Sequence, residues 1–336
     1  MNINELMDLK IDYAFKQLFG NPKNKRITIE FLNAMLERTD REKISDVQFE
    51  NTLLSKEHLE DKESRLDILA RTTNDELINI EIQFNNKFNM VKRSIYYWAR
   101  VFSDQLQKGQ GYINLRPVIM INIVNYNLFR RETKKFHTTF HLYEDKDAFQ
   151  LTNDMEFHFV EIPKLLVQWK QERLNPRDDL LARWLLLLGT VDKKEKKAYK
   201  DILSELEAIA LKDEVLRDAL YSWEELSADR QKRYEYEARL KKYLDEISFI
   251  EEQEYRYKQG MEKALKDGME KGIEQGLQKG MQQGIEQGIE KGKQQGEKEA
   301  LKKVALGLSE EGVPLEMIVK LTGLTKEEVE QLVKNK

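Results

Sequence analysis

The feature that most constrains the fold is a strict alternation of apolar and polar residues over 78–85. The apolar positions are Ile78, Ile80, Ile82 and Phe84, and the polar positions are Asn79, Glu81, Gln83 and Asn85. Successive side chains of a β-strand point to opposite faces, so the pattern predicts a strand with one apolar and one continuous polar face. An ordinary strand does not need such a polar row, which makes the row a candidate site.

A turn separates this strand from a second strand-like segment at 65–69. Residues 72–75 are Thr-Thr-Asn-Asp, which favours a hairpin. If the loop has an odd number of residues centred on Asn74, paired residue numbers sum to 148, and Asp67 lies directly opposite Glu81. Directly opposed side chains share a face, with Cβ atoms roughly 4.5–5.5 Å apart.

Two carboxylates at this distance repel each other unless a proton or a cation lies between them. A hard divalent cation such as Mg²⁺ prefers one or two carboxylates together with waters and phosphate oxygens. Asp67 and Glu81 are therefore candidate metal ligands, and the pattern indicates metal-dependent phosphodiester cleavage. Gln83 lies on the same face, where its amide can orient a water molecule but adds no charge.

The composition limits the classes of protein to consider. The chain has 336 residues, 40% hydrophobic and 35% charged, which is long enough for two domains and favours a folded core. It contains no cysteine, which excludes disulfides and a cysteine nucleophile and is typical of the reducing cytoplasm. We expect no secretion signal and no membrane association, because the first ten residues lack an apolar segment and no apolar run reaches roughly 18 residues. The net charge is −4, so DNA binding would need local basic patches.

The first half of the chain has the element order α-β-β-β-α-β, which predicts an α/β fold. We expect helices over 10–37 and 90–108, and strands over 46–54, 65–72, 77–84, 118–124, 135–143 and 156–162. The continuous apolar run over 118–124 is typical of a strand that is covered on both faces.

The second half is predicted to be helical from 163 to 258, with a long charged helix over 229–258. Glycine then recurs at every fourth position from Gly268 to Gly296, and the next position holds Met, Leu or Ile from Met261 to Ile289. Each glycine costs a helix about 0.8–1 kcal/mol relative to alanine, so close packing against another helix must offset the loss. We expect a self-associating or hinge-like helix.

The chain ends in two short predicted helices, over 315–321 and 325–333. Thr325 and Glu328 form a predicted capping box, and the pair is either a helix-turn-helix or a small helical cap. We divide the chain into four regions: a core at 1–165, a helical region at 166–258, a glycine-rich helix at 259–300 for self-association or linkage, and a terminal helical hairpin at 301–336.

Other polar residues allow two interpretations each. Asp12 and Lys16 are one helical turn apart, as in a solvated ion pair or a pair beside a site. Glu30 is an alternative metal-binding acid from the first helix. Cations on the second helix could contact phosphates or only solvent: Lys92, Arg93 and Arg100. His137 and His141 share a strand face but lie about 13 Å apart, which is wrong for a shared metal.

Several motifs together are similar to a known family over residues 1–250. They are Asp12-Tyr-Ala-Phe-Lys-Gln-Leu-Phe19, Phe31-Leu-Asn33, Arg65-Leu-Asp67, Glu81-Ile-Gln83, Arg93 with Tyr96-Tyr97, Phe159-Val-Glu-Ile-Pro-Lys164, and the segment from Trp223 to Tyr234. In these motifs and in the glycine-rich tail, the chain resembles the Rpn family of recombination-promoting nucleases or putative transposases, in the PD-(D/E)XK nuclease superfamily.

The resemblance implies a restriction-endonuclease-like αβββαβ core with a mixed sheet. It also implies a DNA endonuclease that depends on Mg²⁺, with Mn²⁺ as a substitute, and that promotes recombination. Asp67 and Glu81 match the metal-binding acids, with the Ile82 carbonyl as a third ligand, while Gln83 replaces the lysine of the superfamily.

Five further residues are expected to support the site or to contact DNA: Asp12, Lys16, Arg65, Arg93 and Tyr96. The expected assembly is a homo-oligomer formed through residues 260–300. The alternative is an oligomeric DNA-binding or transposase-related protein with little cleavage.

Overall fold

A six-stranded mixed sheet is the central element of the computed structural model, which describes residues 2–53 and 66–334. The strands are β1 (Val47–Phe49), β2 (Ile68–Thr72), β3 (Leu77–Gln83), β4 (Val118–Val124), β5 (His137–His141) and β6 (Met155–Glu161). Their order is β1-β2-β3-β4-β6-β5. The β3–β4 and β4–β6 pairs are parallel, and the other pairs are antiparallel. The predicted α/β core with a mixed sheet is confirmed.

Helices cover both faces of this sheet. They are α1 (Asp12–Phe19), α2 (Lys25–Met35), α3 (Met90–Ser103), α4 (Ile162–Lys170), α5 (Leu180–Gly189), α6 (Lys200–Ala210) and α7 (Glu214–Ala228). On one face, isoleucines of β3 and β4 share a hydrophobic core with α1, α2 and α5–α7. On the other face, Met120 and Phe159 pack with α3 through Tyr97 and Val101. The polar row of β3 therefore lies on the α3 side of the sheet.

The β2–β3 hairpin has the predicted register. The paired residues run from Ile68–Ile80 to Arg71–Leu77, and the two residue numbers of each pair sum to 148. The turn closes through a bond from the Thr72 N–H to the Glu76 carbonyl, and Asp75 takes the left-handed φ of +60° that a three-residue loop requires. Asp67 precedes β2 by one residue, so the same register places it opposite Glu81.

Two predicted segments differ from the structure. The helix expected over 10–37 is divided into α1 and α2 by a short turn that begins after Phe19. The expectation of continuous helix from 163 to 258 is wrong at a small hairpin, β7 (Val191–Asp192) and β8 (Lys197–Ala198). Strands of two residues leave no periodic signal, and the lysines and glutamate between them are good helix formers.

The C-terminal part of the described chain is helical. It contains α8 (Arg230–Glu310), α9 (Leu315–Thr322) and α10 (Lys326–Lys334), and α8 runs unbroken through the predicted boundaries at 258 and 300. The chain divides into two compact units, Met1–Ile250 and Glu251–Lys336. The four-region division remains a prediction. Across the described residues, no helix is both long enough and apolar enough to cross a membrane.

The terminal unit has a small core of its own, formed by Ala305, Ile318, Leu324 and Val329. The predicted capping box is present. The Glu328 N–H donates to Thr325 Oγ1 at 3.2 Å, and the Thr325 N–H donates to the Glu328 carboxylate at 3.0 Å.

Candidate active site

Asp67 and Glu81 face each other where the β2–β3 ladder ends. The Asp67 N–H donates to Glu81 Oε1 at 3.2 Å, and Asp67 Oδ2 accepts from the Ile82 N–H at 2.9 Å. The Ile82 N–H thus bonds to a carboxylate instead of a strand carbonyl. These two hydrogen bonds fix both acids at the carboxyl end of β3.

Arg93 of α3 bonds to both Glu81 and Gln83, which are neighbours on the polar face of β3. Its Nη2 lies 3.0 Å from Glu81 Oε2, and its Nη1 donates to Gln83 Oε1 at 3.0 Å. The guanidinium carbon lies 5.1 Å from the centre of the Tyr97 ring. Arg93 is therefore held by two charge-assisted bonds and one cation–π contact, and it fixes the orientation of Glu81 and Gln83.

Lys16 reaches the same site from the opposite face of the sheet. Its Nζ lies 2.8 Å from Asp67 Oδ1, and the two side chains are 28% and 10% exposed. Of the two sequence interpretations, the structure supports the position beside the site. Asp12 contacts the backbone instead, because its Oδ1 accepts from the Tyr13 N–H at 2.8 Å.

The polar row of β3 is fully covered. Asn79, Glu81, Gln83 and Asn85 are exposed by 0%, 1%, 7% and 1%. Burial, and next the negative charge of Asp67, raise the pKa of Glu81 to about 8, while Arg93 and the Asn79 amide act in the opposite direction. An additional positive charge beside these carboxylates would favour the ionised form of Glu81.

The remaining predicted residues lie in different places. Tyr96 is on the outer side of α3 with half of its side chain exposed, so the structure does not bring it to the carboxylates. Glu30 forms an ion pair with Lys43 at 3.3 Å, and no contact to Asp67 or Glu81 is seen among the described residues. Arg65 lies outside the described residues.

Two residues beyond those predicted individually also contribute to the site. Asn79 donates to Glu81 Oε1 at 3.3 Å, and its place in the alternating row was a usable signal. Tyr243 of α8 packs on Phe84 with ring centres 5.6 Å apart, and its backbone carbonyl accepts from the Asn85 amide. Burial, followed by the charges of Asp12 and Asp67, raises the pKa of Tyr243. No local pattern indicates this contact across about 160 residues.

The histidines form a separate network between β5 and β6. His137 Nε2 lies 2.8 Å from His158 Nδ1, and His158 Nε2 lies 2.5 Å from Glu156. His141 lies 3.6 Å from the same glutamate. Within residues 2–53 and 66–334, no three His, Asp or Glu side chains are grouped so that they could hold a metal ion.

Comparison with known families agrees with this geometry. Residues 9–253 match the family described as PD-(D/E)XK nuclease family transposase. The chain belongs to this family. The match covers the whole sheet and the first turns of α8, so the predicted resemblance to the Rpn nucleases of the PD-(D/E)XK superfamily is confirmed. No curated protein and no solved structure matched the chain.

Proposed function

We propose that this protein is a metal-dependent DNA endonuclease that hydrolyses phosphodiester bonds and promotes DNA recombination. Membership of the PD-(D/E)XK nuclease family supports a nuclease-like or transposase-related activity. The observation that carries the proposal is the facing pair of Asp67 and Glu81 at the end of a parallel strand, with two cations bound to it.

The oxygen donors at this point suit a hard divalent cation. Asp67 and Glu81 supply two carboxylates. Ile82 lies beyond the last pair of the β2–β3 ladder, so we assign its carbonyl as a third ligand. Nucleases of this superfamily typically use divalent metals, and we propose Mg²⁺ here, with Mn²⁺ as a substitute. Such an ion, when bound, lowers the pKa of a coordinated water and stabilises charge on the phosphate.

The protein residues position and orient the reacting groups. Arg93 prevents Glu81 and Gln83 from turning away from the strand end. Gln83 donates one amide hydrogen to the Asn85 carbonyl at 3.0 Å. An amide nitrogen carries two hydrogens, so the second can orient the attacking water. Asp12, Arg65 and Tyr96 are proposed to support the site or to contact DNA.

The test is nicking of supercoiled plasmid DNA in Mg²⁺, with Asp67→Asn as the site variant. Asparagine keeps an acceptor for the Ile82 N–H but removes the charge, so we expect at least a hundredfold loss of rate with the fold intact. Asp46→Asn is the matched control, because Asp46 is an exposed acid that pairs with Lys25 outside the site. Equal rates for Asp67→Asn and the wild type would reject the assignment.

A second candidate function is an oligomeric, transposase-related DNA-binding protein with little cleavage. It is favoured by Gln83, which brings no charge where the superfamily has a lysine. Under this alternative the wild type binds DNA but does not nick it in Mg²⁺ or Mn²⁺. We place either activity in the cytoplasm, in keeping with the absence of cysteine.

We also propose a homo-oligomer that forms through residues 260–300. The apolar residues that follow the small residue of each repeat, a glycine or Ala264, have 53% to 72% of their surface exposed: Met261, Leu265, Met269, Ile273, Leu277, Met281, Ile285 and Ile289. A Cβ atom added at any glycine from Gly260 to Gly296 would meet no atom within 4 Å. The row shifts by about 40° around the helix with each four-residue repeat. A second copy of this helix that winds with the row could cover it, because a twofold dimer uses the same row twice.

A further inference from the structure

Two cations reach the carboxylate pair, and they are held very differently. Arg93 is bound to Glu81 and Gln83 and lies over the Tyr97 ring. Among the described residues, Lys16 makes one ionic contact, to Asp67 Oδ1 at 2.8 Å, and 28% of its side chain is exposed. Arg93 can move only by breaking several contacts at once, whereas Lys16 can move by breaking one.

The chemistry of the site needs a positive charge that reaches the scissile phosphate. Hydrolysis of a phosphodiester adds negative charge to the phosphate oxygens, and a positive charge nearby stabilises the transition state. Gln83 is uncharged, and the charge of Arg93 is used to balance Glu81. Both cations contact carboxylate oxygens that a metal ion would compete for, Lys16 at Asp67 Oδ1 and Arg93 at Glu81 Oε2. Arg93 is also held by Gln83 and the Tyr97 ring, so Lys16 is the cation that a metal ion would displace.

We propose that Lys16 of α1 supplies the positive charge to the scissile phosphate, in place of the uncharged residue at position 83. Lys16 balances Asp67 when no metal is bound. The ammonium group would be repelled by a divalent cation that the two acids held, and its four-carbon side chain would let it turn to the substrate. The inference rests on the proposed nuclease function.

The first test uses binding and needs no catalysis. The ammonium of Lys16 and a divalent cation compete for Asp67 Oδ1, so calorimetry with Ca²⁺ should show about three- to tenfold tighter binding to Lys16→Gln than to the wild type. Lys23→Gln, an exposed lysine beyond α1, is the control and should bind Ca²⁺ as the wild type does. Unchanged or weaker binding to Lys16→Gln would contradict the competition.

The second test uses the absence of cysteine in the chain. In Lys16→Cys, the new thiol can be alkylated with 2-bromoethylamine, which restores an ammonium group at nearly the original distance, or with iodoacetamide, which leaves a neutral side chain. We expect nicking to fall about a hundredfold in Lys16→Cys, to return after aminoethylation, and to stay low after treatment with iodoacetamide. The treated wild type controls for the reagents, and circular dichroism confirms folding.

The outcomes separate this inference from the proposed function. If Asp67→Asn is inactive while Lys16→Cys cuts within about threefold of the wild type, the nuclease assignment stands and the role of Lys16 is rejected. Equal recovery with both alkylating reagents would also reject it, because the charge would not matter. If the wild type does not cut DNA in Mg²⁺ or Mn²⁺, the proposed function fails and this inference fails with it.

Discussion

At the scale of single residues, the contacts of Gln83 explain how the site accommodates a neutral side chain. Gln83 Oε1 accepts from Arg93, and its Nε2 donates to the Asn85 carbonyl. A lysine ammonium can only donate, so a lysine here would lose the acceptor and oppose the guanidinium of Arg93. The identity of residue 83 is therefore coupled to the presence of Arg93.

We predict that Gln83→Lys lowers the free energy of unfolding by about 1–3 kcal/mol, because it leaves Arg93 without an acceptor and adds a like charge. The double variant Gln83→Lys with Arg93→Gln should recover part of this loss. Urea denaturation of the wild type, of Gln83→Lys, of Arg93→Gln and of the double variant gives the coupling energy. Additive effects of the two substitutions would show that the side chains act independently.

These residues also show how far the site was predictable. The alternation over 78–85 and a turn centred on Asn74 place Asp67 opposite Glu81, because both signals are local. The bonds of Arg93 to Glu81 and Gln83, and the ion pair of Lys16 with Asp67, depend on how α3 and α1 pack against the sheet. Such contacts join residues 10 to 51 positions apart, and no periodicity in the sequence specifies them.

At the scale of secondary-structure elements, the β5–β6 pair contains a half-buried, pH-sensitive histidine. Burial, and next the charge of His158, lower the pKa of His137 to about 4, and Glu156 acts in the opposite direction. The pKa of an unfolded histidine is about 6.5. Between these values the unfolded chain binds more protons than the folded one, so stability falls as the pH is lowered through this window.

We predict that the wild type loses up to about 3 kcal/mol more stability than His137→Gln between pH 7 and pH 4, since glutamine has no proton to gain. Denaturant titrations at several pH values measure this difference. His141→Gln is the control on the same strand, and it should keep the steep dependence of the wild type. Parallel curves for the wild type and His137→Gln would contradict the assignment.

The glycine-rich part of α8 allows the two interpretations of that helix to be separated. A Cβ atom at Gly276 or Gly280 meets nothing in a single chain, so Gly→Ala at both positions should raise helicity. If this face packs closely against a second copy, the added methyl groups should also weaken association severalfold. Circular dichroism and sedimentation of the full chain report the two effects. Higher helicity with unchanged association would favour a linker.

At the scale of the whole molecule, the boundary between the two compact units falls within α8, after Ile250. The residues of the candidate site, including Tyr243, all belong to the first unit. The exposed apolar row belongs entirely to the second unit. The proposed chemistry and the proposed self-association are thus carried by different parts of the chain.

We predict that truncation after Gln253 leaves a folded core that is monomeric and favours nicking over double-strand cutting. Each strand scission needs one active site, so a dimer makes a double-strand break more easily. Light scattering gives the mass, and the ratio of linear to nicked plasmid gives the cutting mode. An oligomeric truncated core would remove the role of residues 260–300 in assembly.

The pairing of each acid with a cation of the protein has a consequence for the stability of the metal-free protein. Without an ion, Lys16 balances Asp67, and Glu81 is held by Arg93 and takes up a proton as its pKa is raised to about 8. Proteins whose metal is part of their folding energy unravel in a chelator. We therefore expect a chelator to abolish the proposed DNA cleavage and to leave the melting temperature of this protein almost unchanged. If the proposed metal-dependent activity holds, removal of the ion is therefore reversible, because the metal-free protein stays folded.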